Sequence, residues 1–397
     1  MSATPSPDPL RPASLEEVQA HVQEAAASGR PLELLGAGSK RGYGRPVQGA
    51  QAMSLGALSG IVDYQPHELI LVARPGTPLA QVEATLAEAG QALAFEPPHW
   101  SAAATLGGVI ACNLSGPRRF KAGAARDHLL GFQAVTGTGE AVRGGGRVVK
   151  NVTGYDLPKL LCGSFGTLAV FTELVLKVLP HAEAERTVLL RGLTDGEAVE
   201  RLGAVSRSVH EPSGLAHLPA GARVPGVAAA VAEGAALTAV RLEGPEPSVR
   251  HRSGQVGPGA AGVLETADSR AFWTALREGE PLALAEDERR WRFSVAPMAG
   301  ARLGSRLGEL GGVRLWYDWG GALVWAAVPA PHKPALLHRL AREHGGHAQL
   351  VAQGARCPHE EPAFSPLSPP QQRLHANLKR SFDPQRVLNP GRMYAEL

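Results

Sequence analysis

The sequence has few cysteines, no long apolar run and no excess of one charge. Its 3 cysteines are too few and too scattered for a disulfide framework, and they exclude iron–sulfur ligation. No segment approaches the roughly 18 consecutive apolar residues of a membrane helix, and the N-terminus has no signal-peptide pattern. Lys plus Arg number 40 against 37 for Asp plus Glu, without basic runs. We therefore expect a cytoplasmic protein with no transmembrane segment and no nucleic-acid partner.

Several short catalytic motifs are also missing. The sequence has no HExxH, no paired-cysteine motif and no GxSxG. The nearest metal-binding pattern is His344-Gly345-Gly346-His347, but it lacks a carboxylate and the spacing of a zinc site, so we predict no metal. Asn151-Val152-Thr153 fits a glycosylation acceptor, yet the lack of an export signal argues against its modification.

Prolines, glycines and apolar residues divide the chain into segments. Residues 1–12 contain four prolines and are expected to form a disordered tail. A capping box that begins at Ser14 starts a helix ending at Gly29, and PLELL then predicts a strand before a glycine-rich turn. The composition shifts after Pro180, and a boundary near residue 183 begins a second domain with helices and antiparallel strands. At the end, QQRLHANLKRSF predicts a helix and VLNPGRMYAEL an extended segment.

Two glycine-rich motifs have the composition of anion-binding loops. In GAGSKRGYG, residues 36–44, glycines permit positive φ, so that successive N–H groups can surround a diphosphate; an ordinary surface turn is the alternative. This loop fits neither the dinucleotide fingerprint, because Arg41 replaces its third glycine, nor the P-loop. The helix start at Thr105 has Gly107 and Gly108 in its first turn, which indicates either an anion at the helix N-terminus or close packing against a strand.

The polar residues that follow these motifs each have two interpretations. Asn113, Ser115 and Gly116 either hydrogen-bond a ligand or end the helix. Tyr155 and Asp156 precede the strand-like run LAVFTELVLKVLP, where a half-buried aromatic residue and a turn or cap residue are the simpler expectations. None of these signals is specific alone.

Taken together and in this order, five segments resemble one family. They are GAGSKRGYG, ARPGTPLAQVEATLAEAGQALAFEPP, ATLGGVIACNLSGPRR, VVKNVTGYDLPKLLCGSFGTLAVFTELVLKVLP and FDPQRVLNPGRM. Over nearly its whole length, the chain is similar to FAD-binding flavoproteins of the vanillyl-alcohol-oxidase (PCMH) type. Within this family it resembles most the FAD-binding subunits of glycolate oxidase, of which GPRR, WRFSVAP and YDWGGALVW look typical.

The resemblance implies an α+β fold. A PCMH-type FAD-binding domain of two α/β subdomains would occupy residues 13–183. A cap domain with an antiparallel sheet would occupy residues 184–360. A C-terminal segment, residues 361–397, would return to pack on the FAD-binding domain.

The resemblance also implies which residues bind FAD. The first loop would cradle the diphosphate with Gly36, Ala37, Gly38, Ser39 and Lys40. The second motif would follow the diphosphate and ribityl chain with Thr105, Gly107, Gly108, Asn113, Ser115 and Gly116. Val170 would lie at the adenine end, and Asn389 would approach the flavin ring. The first loop has no histidine for a covalent flavin link, so we expect non-covalent FAD, with His99 a solvated loop histidine. Phe165 stands where many relatives carry Glu.

The implied activity is the oxidation of glycolate or a related 2-hydroxy acid to the 2-oxo acid, with FAD as electron acceptor. The implied partners are a second flavoprotein subunit and an iron–sulfur subunit, through which the complex would associate with a membrane. A different hypothesis is an FAD-binding relay or scaffold subunit that is not catalytic, which the absence of the family's cap-domain histidines favours. No catalytic base can be assigned, and Arg118, Arg119 and Arg292 are candidates to bind a substrate carboxylate.

Overall fold

The protein is described from a computed structural model. It describes residues 8–147, 154–222, 224, 234–257, 259–357 and 362–397. The glycosylation acceptor at Asn151 lies outside these residues. The first of two units comprises residues 1–115, 124–181 and 367–397. The second comprises residues 116–123 and 182–366.

Helices and strands are interspersed along the chain. The helices are α1 Leu15–Ser28, α2 Leu79–Glu88, α3 Leu106–Ala111, α4 Arg119–Ala122, α5 Ala125–His128, α6 Leu157–Leu161, α7 Asp195–Ser206, α8 Glu246–Val256, α9 Thr266–Glu278, α10 Gly300–Gly308, α11 Pro334–Glu343 and α12 Pro369–Phe382. The strands are β1 Leu32–Leu35, β2 Gln51–Ser54, β3 Ile61–Gln65, β4 Ile70–Ala73, β5 Gln91–Ala92, β6 Leu129–Thr136, β7 Ala141–Gly145, β8 Ala169–Lys177, β9 Leu179–Pro180, β10 Ala184–Arg191, β11 Gly214–Leu218, β12 Leu237–Gly244, β13 Gly262–Leu264, β14 Glu288–Ser294, β15 Arg314–Asp318, β16 Leu323–Pro329 and β17 His347–Gln353.

The first unit contains a five-stranded sheet and two two-stranded sheets, β1-β2 and β5-β9, together with helices, in agreement with the predicted α/β content. Strands β1 and β2 pair in parallel, and α1 packs on them through Val18, Val22 and Ala25. The predicted cap of α1 is confirmed, because Ser14 Oγ accepts a hydrogen bond from the Glu17 N–H at 3.2 Å. The five-stranded sheet is antiparallel with the strand order β3-β4-β8-β6-β7.

Part of the N-terminal segment that was predicted to be disordered makes defined contacts with the first unit. The Leu10 N–H donates to Ala52 O at 2.9 Å, and the Ser54 N–H donates to Leu10 O at 2.8 Å. Leu10 also packs against the apolar cluster under α1. These contacts correct the prediction of a disordered tail for residues 8–12, while residues 1–7 lie outside the described part of the chain.

The C-terminal segment folds back into the first unit, as predicted. Buried Lys379 of α12 donates from Nζ to Asp383 Oδ2 at 2.7 Å, to Thr167 O at 2.7 Å and to Leu388 O at 2.8 Å. The predicted helix is confirmed, but the last residues are not extended. They form turns, in which the Gly391 N–H donates to Leu397 O at 2.6 Å.

The second unit is built on one antiparallel sheet with the strand order β13-β10-β12-β11-β15-β16-β14-β17. Side chains of α9 form an apolar core with Leu189 and Ala239 on one face of the sheet. Side chains of α7 and α8 form another core with Val188 and Val240, which point to the opposite face because neighbouring strand residues alternate. The predicted hairpin of β15 and β16 turns at Trp319–Gly321.

Residues 116–123 depart from the predicted boundary at 183. They precede that boundary, yet they belong to the second unit. Arg118 Nε lies 3.2 Å from Glu243 Oε2, and the Phe120 side chain packs against the core under α7 and α8. A charge pair and an apolar contact with β12 and its neighbours therefore decide where this short segment folds.

No helix among the described residues has both the length and the apolar character needed to cross a bilayer.

Candidate functional site

A groove in the first unit brings together residues that are far apart in the sequence. Its empty volume is about 440 Å³, and its walls come from the end of β1, the start of α3, β8 and the C-terminal segment. Of the residues predicted to bind the cofactor, the groove is lined by Gly36, Thr105, Gly107, Gly108, Val170 and Asn389. The glycine motifs and the C-terminal motif therefore meet at one place.

The loop after β1 presents unpaired backbone donors. Among the described residues, no acceptor is bonded to the N–H groups of Ala37, Gly38 or Ser39, and Gly38 has a φ of +79°. Lys40 is 7% exposed and donates to His99 O at 2.9 Å and to Ser39 Oγ at 3.0 Å. Successive free N–H groups beside a fixed ammonium attract an anion, so this loop has the chemistry of a phosphate nest.

The second glycine motif combines the two interpretations that its sequence left open. A Cβ at Gly107 would lie 2.8 Å from Pro75 O, so this glycine is required by close packing. At Gly36 a Cβ would overlap the Thr105 hydroxyl, which caps α3 by accepting from the Gly108 N–H at 3.4 Å. A Cβ at Gly108, in contrast, would have no neighbour closer than 3.4 Å. Gly108 lines the groove, where the lack of a side chain lets a ligand approach the chain closely.

Asn389 is the main side-chain connection across the groove. It is 3% exposed, and its Oδ1 accepts from the Leu34 N–H at 2.8 Å while its Nδ2 donates to Phe165 O at 2.7 Å. Its φ is +42°, in the left-handed region that asparagine tolerates better than most residues. Asn389 thus links β1, the loop before β8 and the C-terminal segment.

Phe165 takes part through its backbone. Its φ is +55°, its N–H donates to Ala111 O at 2.8 Å, and its carbonyl accepts from Asn389. The ring is buried against Tyr43, with centroids 4.9 Å apart. The loss of the Glu found in many relatives therefore leaves the backbone contacts of this loop in place.

Arg392 was not predicted from the sequence as a residue of the site. Its Nη1 donates to Arg45 O and its Nη2 to Lys40 O, both at 2.9 Å, and it is 7% exposed. Burial lowers the pKa of this guanidinium. Two bonds from one buried cation to the carbonyls of the first loop fix that loop's shape. The only sequence signal was the position of Arg392 directly after the Asn-Pro-Gly turn.

Seven of the predicted cofactor residues do not line the groove. Four of them, Ala37, Gly38, Ser39 and Lys40, belong to the loop after β1, and the other three have contacts elsewhere. Ser115 Oγ accepts from the Ala125 N–H at 2.9 Å, and Asn113 Oδ1 accepts from the Arg126 N–H at 3.1 Å. Both side chains therefore hold the start of α5. Gly116 belongs to the second unit, where its carbonyl accepts from Trp319 Nε1 at 3.2 Å.

Several other polar candidates are explained by local contacts. His99 is not a solvated loop histidine, because its Nε2 lies 2.9 Å from Glu83 Oε2 and its side chain is 19% exposed. Tyr155 is 93% exposed and not half-buried, whereas Asp156 caps α6 as predicted. His344 Nδ1 lies 2.8 Å from Leu340 O, and no group of three metal ligands occurs among the described residues.

The three candidate arginines of the second unit have different surroundings. Arg118 pairs with Glu243, and the Arg119 guanidinium lies 4.7 Å from the centre of the Trp319 ring. Arg292 is 8% exposed, and its guanidinium lies 5.7 Å from the ring centres of both Trp319 and Trp325.

Comparison with known proteins decides the family. Residues 10–145 match the FAD binding domain family. The chain is 40% identical over 381 residues to the glycolate oxidase subunit GlcE of Escherichia coli, covering 95% of this chain and 96% of that protein. The chain belongs to the GlcE family. It is an FAD-linked oxidoreductase subunit with FAD as its cofactor.

Other relatives of this GlcE-family chain match its first half or its fold. Glycolate oxidase subunit GlcD of Bacillus subtilis is 29% identical over 183 residues, covering 45% of this chain and 38% of that protein. The crystal structure of p-cresol methylhydroxylase has the same fold, with a TM-score of 0.71 at 15% identity over 96% of this chain and 87% of that chain. These matches confirm the predicted PCMH-type fold.

Proposed function

We propose that the groove and the loop after β1 bind FAD without a covalent link. The free N–H groups of Ala37, Gly38 and Ser39 beside Lys40 carry this proposal, because they suit a diphosphate. Gly108 adds a stretch of groove wall without a side chain, and Val170 and Asn389 also line the groove. Asn113 and Ser115 would act indirectly, by holding α5.

The activity that this site supports best is the oxidation of glycolate or a related 2-hydroxy acid to the 2-oxo acid. FAD supplies a hydride acceptor, and the chain's residues hold and orient it. The proposal rests on the similarity to the glycolate oxidase subunit of Escherichia coli. We further propose that the chain works beside a second flavoprotein subunit and an iron–sulfur subunit, in the cytoplasm or on a membrane that these partners contact.

A non-catalytic relay or scaffold role is the second candidate function. No group of three His, Cys, Asp or Glu side chains suited to a metal is found in the described part of the chain. The Escherichia coli relative is itself named as one subunit of an oxidase, so another subunit could carry the chemistry. The complete loop after β1 favours a redox role over a purely structural one.

The first test is the visible spectrum of the purified chain with added FAD. A flavin spectrum that is lost on acid precipitation of the protein supports non-covalent binding, and a colourless protein contradicts the proposal. Glycolate added without oxygen then separates the two candidate functions. Bleaching indicates that this chain oxidises the substrate, whereas an unchanged spectrum indicates a relay or scaffold.

A pair of glycine variants tests the location of the site. Gly108→Ala places a methyl group on the groove wall at a position that the protein itself tolerates, because its nearest neighbours are 3.4 Å and 3.6 Å away. We expect weaker FAD binding in a fluorescence titration, with unchanged thermal stability of the FAD-free chain. Gly42→Ala is the matched control, because it lies in the first loop with open space around it. Equal FAD affinity in both variants would place the cofactor elsewhere.

A further inference from the structure

The second unit contains a buried cation that the protein leaves without an acceptor. Arg292 lies on β14, is 8% exposed, and is paired in register with Trp325 on β16 and Gln349 on β17. No hydrogen-bond acceptor and no carboxylate is bonded to its guanidinium among the described residues. The neighbouring arginine on the same face, Arg290, donates to Leu282 O at 2.7 Å. Arg292 therefore differs from its neighbour in that none of its guanidinium N–H groups is bonded to an acceptor in the described part of the chain.

The contacts that Arg292 does make leave those donors available. Its guanidinium lies 5.7 Å from the ring centres of Trp319 and Trp325, within the range of cation–π attraction. Such contacts use the faces of the aromatic rings and satisfy none of the five N–H groups of the guanidinium.

The surroundings of Arg292 have a positive potential. The Arg119 guanidinium lies against the Trp319 ring, 4.7 Å from its centre. The pKa of His347 is lowered by the protein packed around its ring and then by the positive charges of Arg292 and Arg119. A lowered pKa reduces the positive charge that His347 carries at neutral pH, so the positive charge here comes from Arg292 and Arg119.

A buried charge without a partner is costly, and an anionic ligand removes that cost. The planar fork of a guanidinium matches a carboxylate with two parallel hydrogen bonds. We propose that Arg292, flanked by Trp319 and Trp325, binds the carboxylate of a small organic acid. This inference rests on the proposed function, and it names the residue that recognises the carboxylate end of a 2-hydroxy or 2-oxo acid.

The test is isothermal titration calorimetry of oxalate and glycolate into the full chain with FAD present. Arg292→Met removes the guanidinium, and we expect binding about tenfold to a hundredfold weaker, as for the loss of a charged hydrogen-bond partner. Arg292→Lys keeps the charge but loses the fork, and binding between those of the native protein and the methionine variant is expected. Arg290→Lys is the matched control, and its oxalate affinity should equal that of the native protein.

Each outcome decides a different point. Native oxalate affinity in Arg292→Met, with an unchanged melting temperature, would overturn the proposal. Displacement of oxalate by sulfate at the same concentration would also overturn it, because it would indicate a general anion site. Loss of oxalate binding in both Arg290→Lys and Arg292→Met would also overturn the proposal. Such a result would mean that any change on β14 weakens binding, and not the loss of the Arg292 guanidinium in particular. Calorimetry of oxalate does not depend on the flavin spectrum, so a chain that binds oxalate but no FAD contradicts only the proposed function.

Discussion

Replacing Asn389 by alanine removes a side chain that bonds to both β1 and the loop before β8. The Leu34 N–H would lose its acceptor, and Phe165 O would lose its donor, from bonds of 2.8 Å and 2.7 Å. Each buried group left unsatisfied costs about 1–3 kcal/mol. Alanine is also less stable than asparagine at the positive φ of this position, which costs roughly 1 kcal/mol of folding free energy. We expect the free energy of unfolding to fall by about 3–5 kcal/mol when these effects are combined, allowing for partial relaxation.

The assay is urea denaturation of the full chain, in which the unfolding transition of the first unit is followed, together with a titration of FAD binding. Since Asn389 lines the groove, the affinity for FAD should fall along with stability. Asn389→Asp sharpens the test, because it keeps an acceptor for the Leu34 N–H but places a second oxygen against Phe165 O. Its FAD affinity should fall as far as that of Asn389→Ala. Asn377→Ala, on the exposed surface of α12, is the control. A loss below about 1 kcal/mol in Asn389→Ala would refute the view that these two bonds organise the groove.

Three further predictions concern other charged side chains. Arg392→Met removes the donor to the carbonyls of Lys40 and Arg45, so FAD binding should weaken roughly tenfold in a fluorescence titration. Native FAD affinity in this variant would show that the loop after β1 keeps its shape without Arg392. Lys379→Met leaves the Asp383 carboxylate buried without its ammonium, and urea denaturation should show a loss of about 3–5 kcal/mol. Burial opposes ionisation of Asp195, but hydrogen bonds from His217 and Tyr317 outweigh it and lower its pKa. The resulting stability is therefore present above pH 3.8 and lost as the pH falls below it, so Asp195→Asn should flatten the acid side of the unfolding profile.

The elements with local signals could be predicted from the sequence. The serine cap and Gly29 delimit α1, and the alternating apolar residues around Trp319–Gly321 predict the hairpin of β15 and β16. Glycine composition indicated segments that turn left-handed or lie close to another segment. That these segments serve one cofactor followed only from the family resemblance, and Gly36, Gly107 and Gly108 do line one groove.

Contacts between distant segments could not be predicted in the same way. Asn113 and Ser115 follow the glycine helix directly, yet their oxygens bond to α5 and do not line the groove. A polar side chain that accepts from a nearby ligand and one that accepts from a backbone N–H have the same sequence pattern. The placement of residues 116–123 in the second unit depends on Glu243, more than a hundred positions away, which no local periodicity reveals.

The position of Phe165 shows why a substituted motif residue can leave a site intact. In this loop the functional groups are the N–H and carbonyl of the peptide chain, which bond to Ala111 and Asn389. The side chain contributes apolar packing on Tyr43, which a glutamate could not supply without burying a charge. Because the geometry of the loop is set by backbone bonds and a positive φ, the family's polar residue is not needed to form the groove. The loop therefore keeps its backbone geometry with phenylalanine in place of the glutamate that the family resemblance leads us to expect.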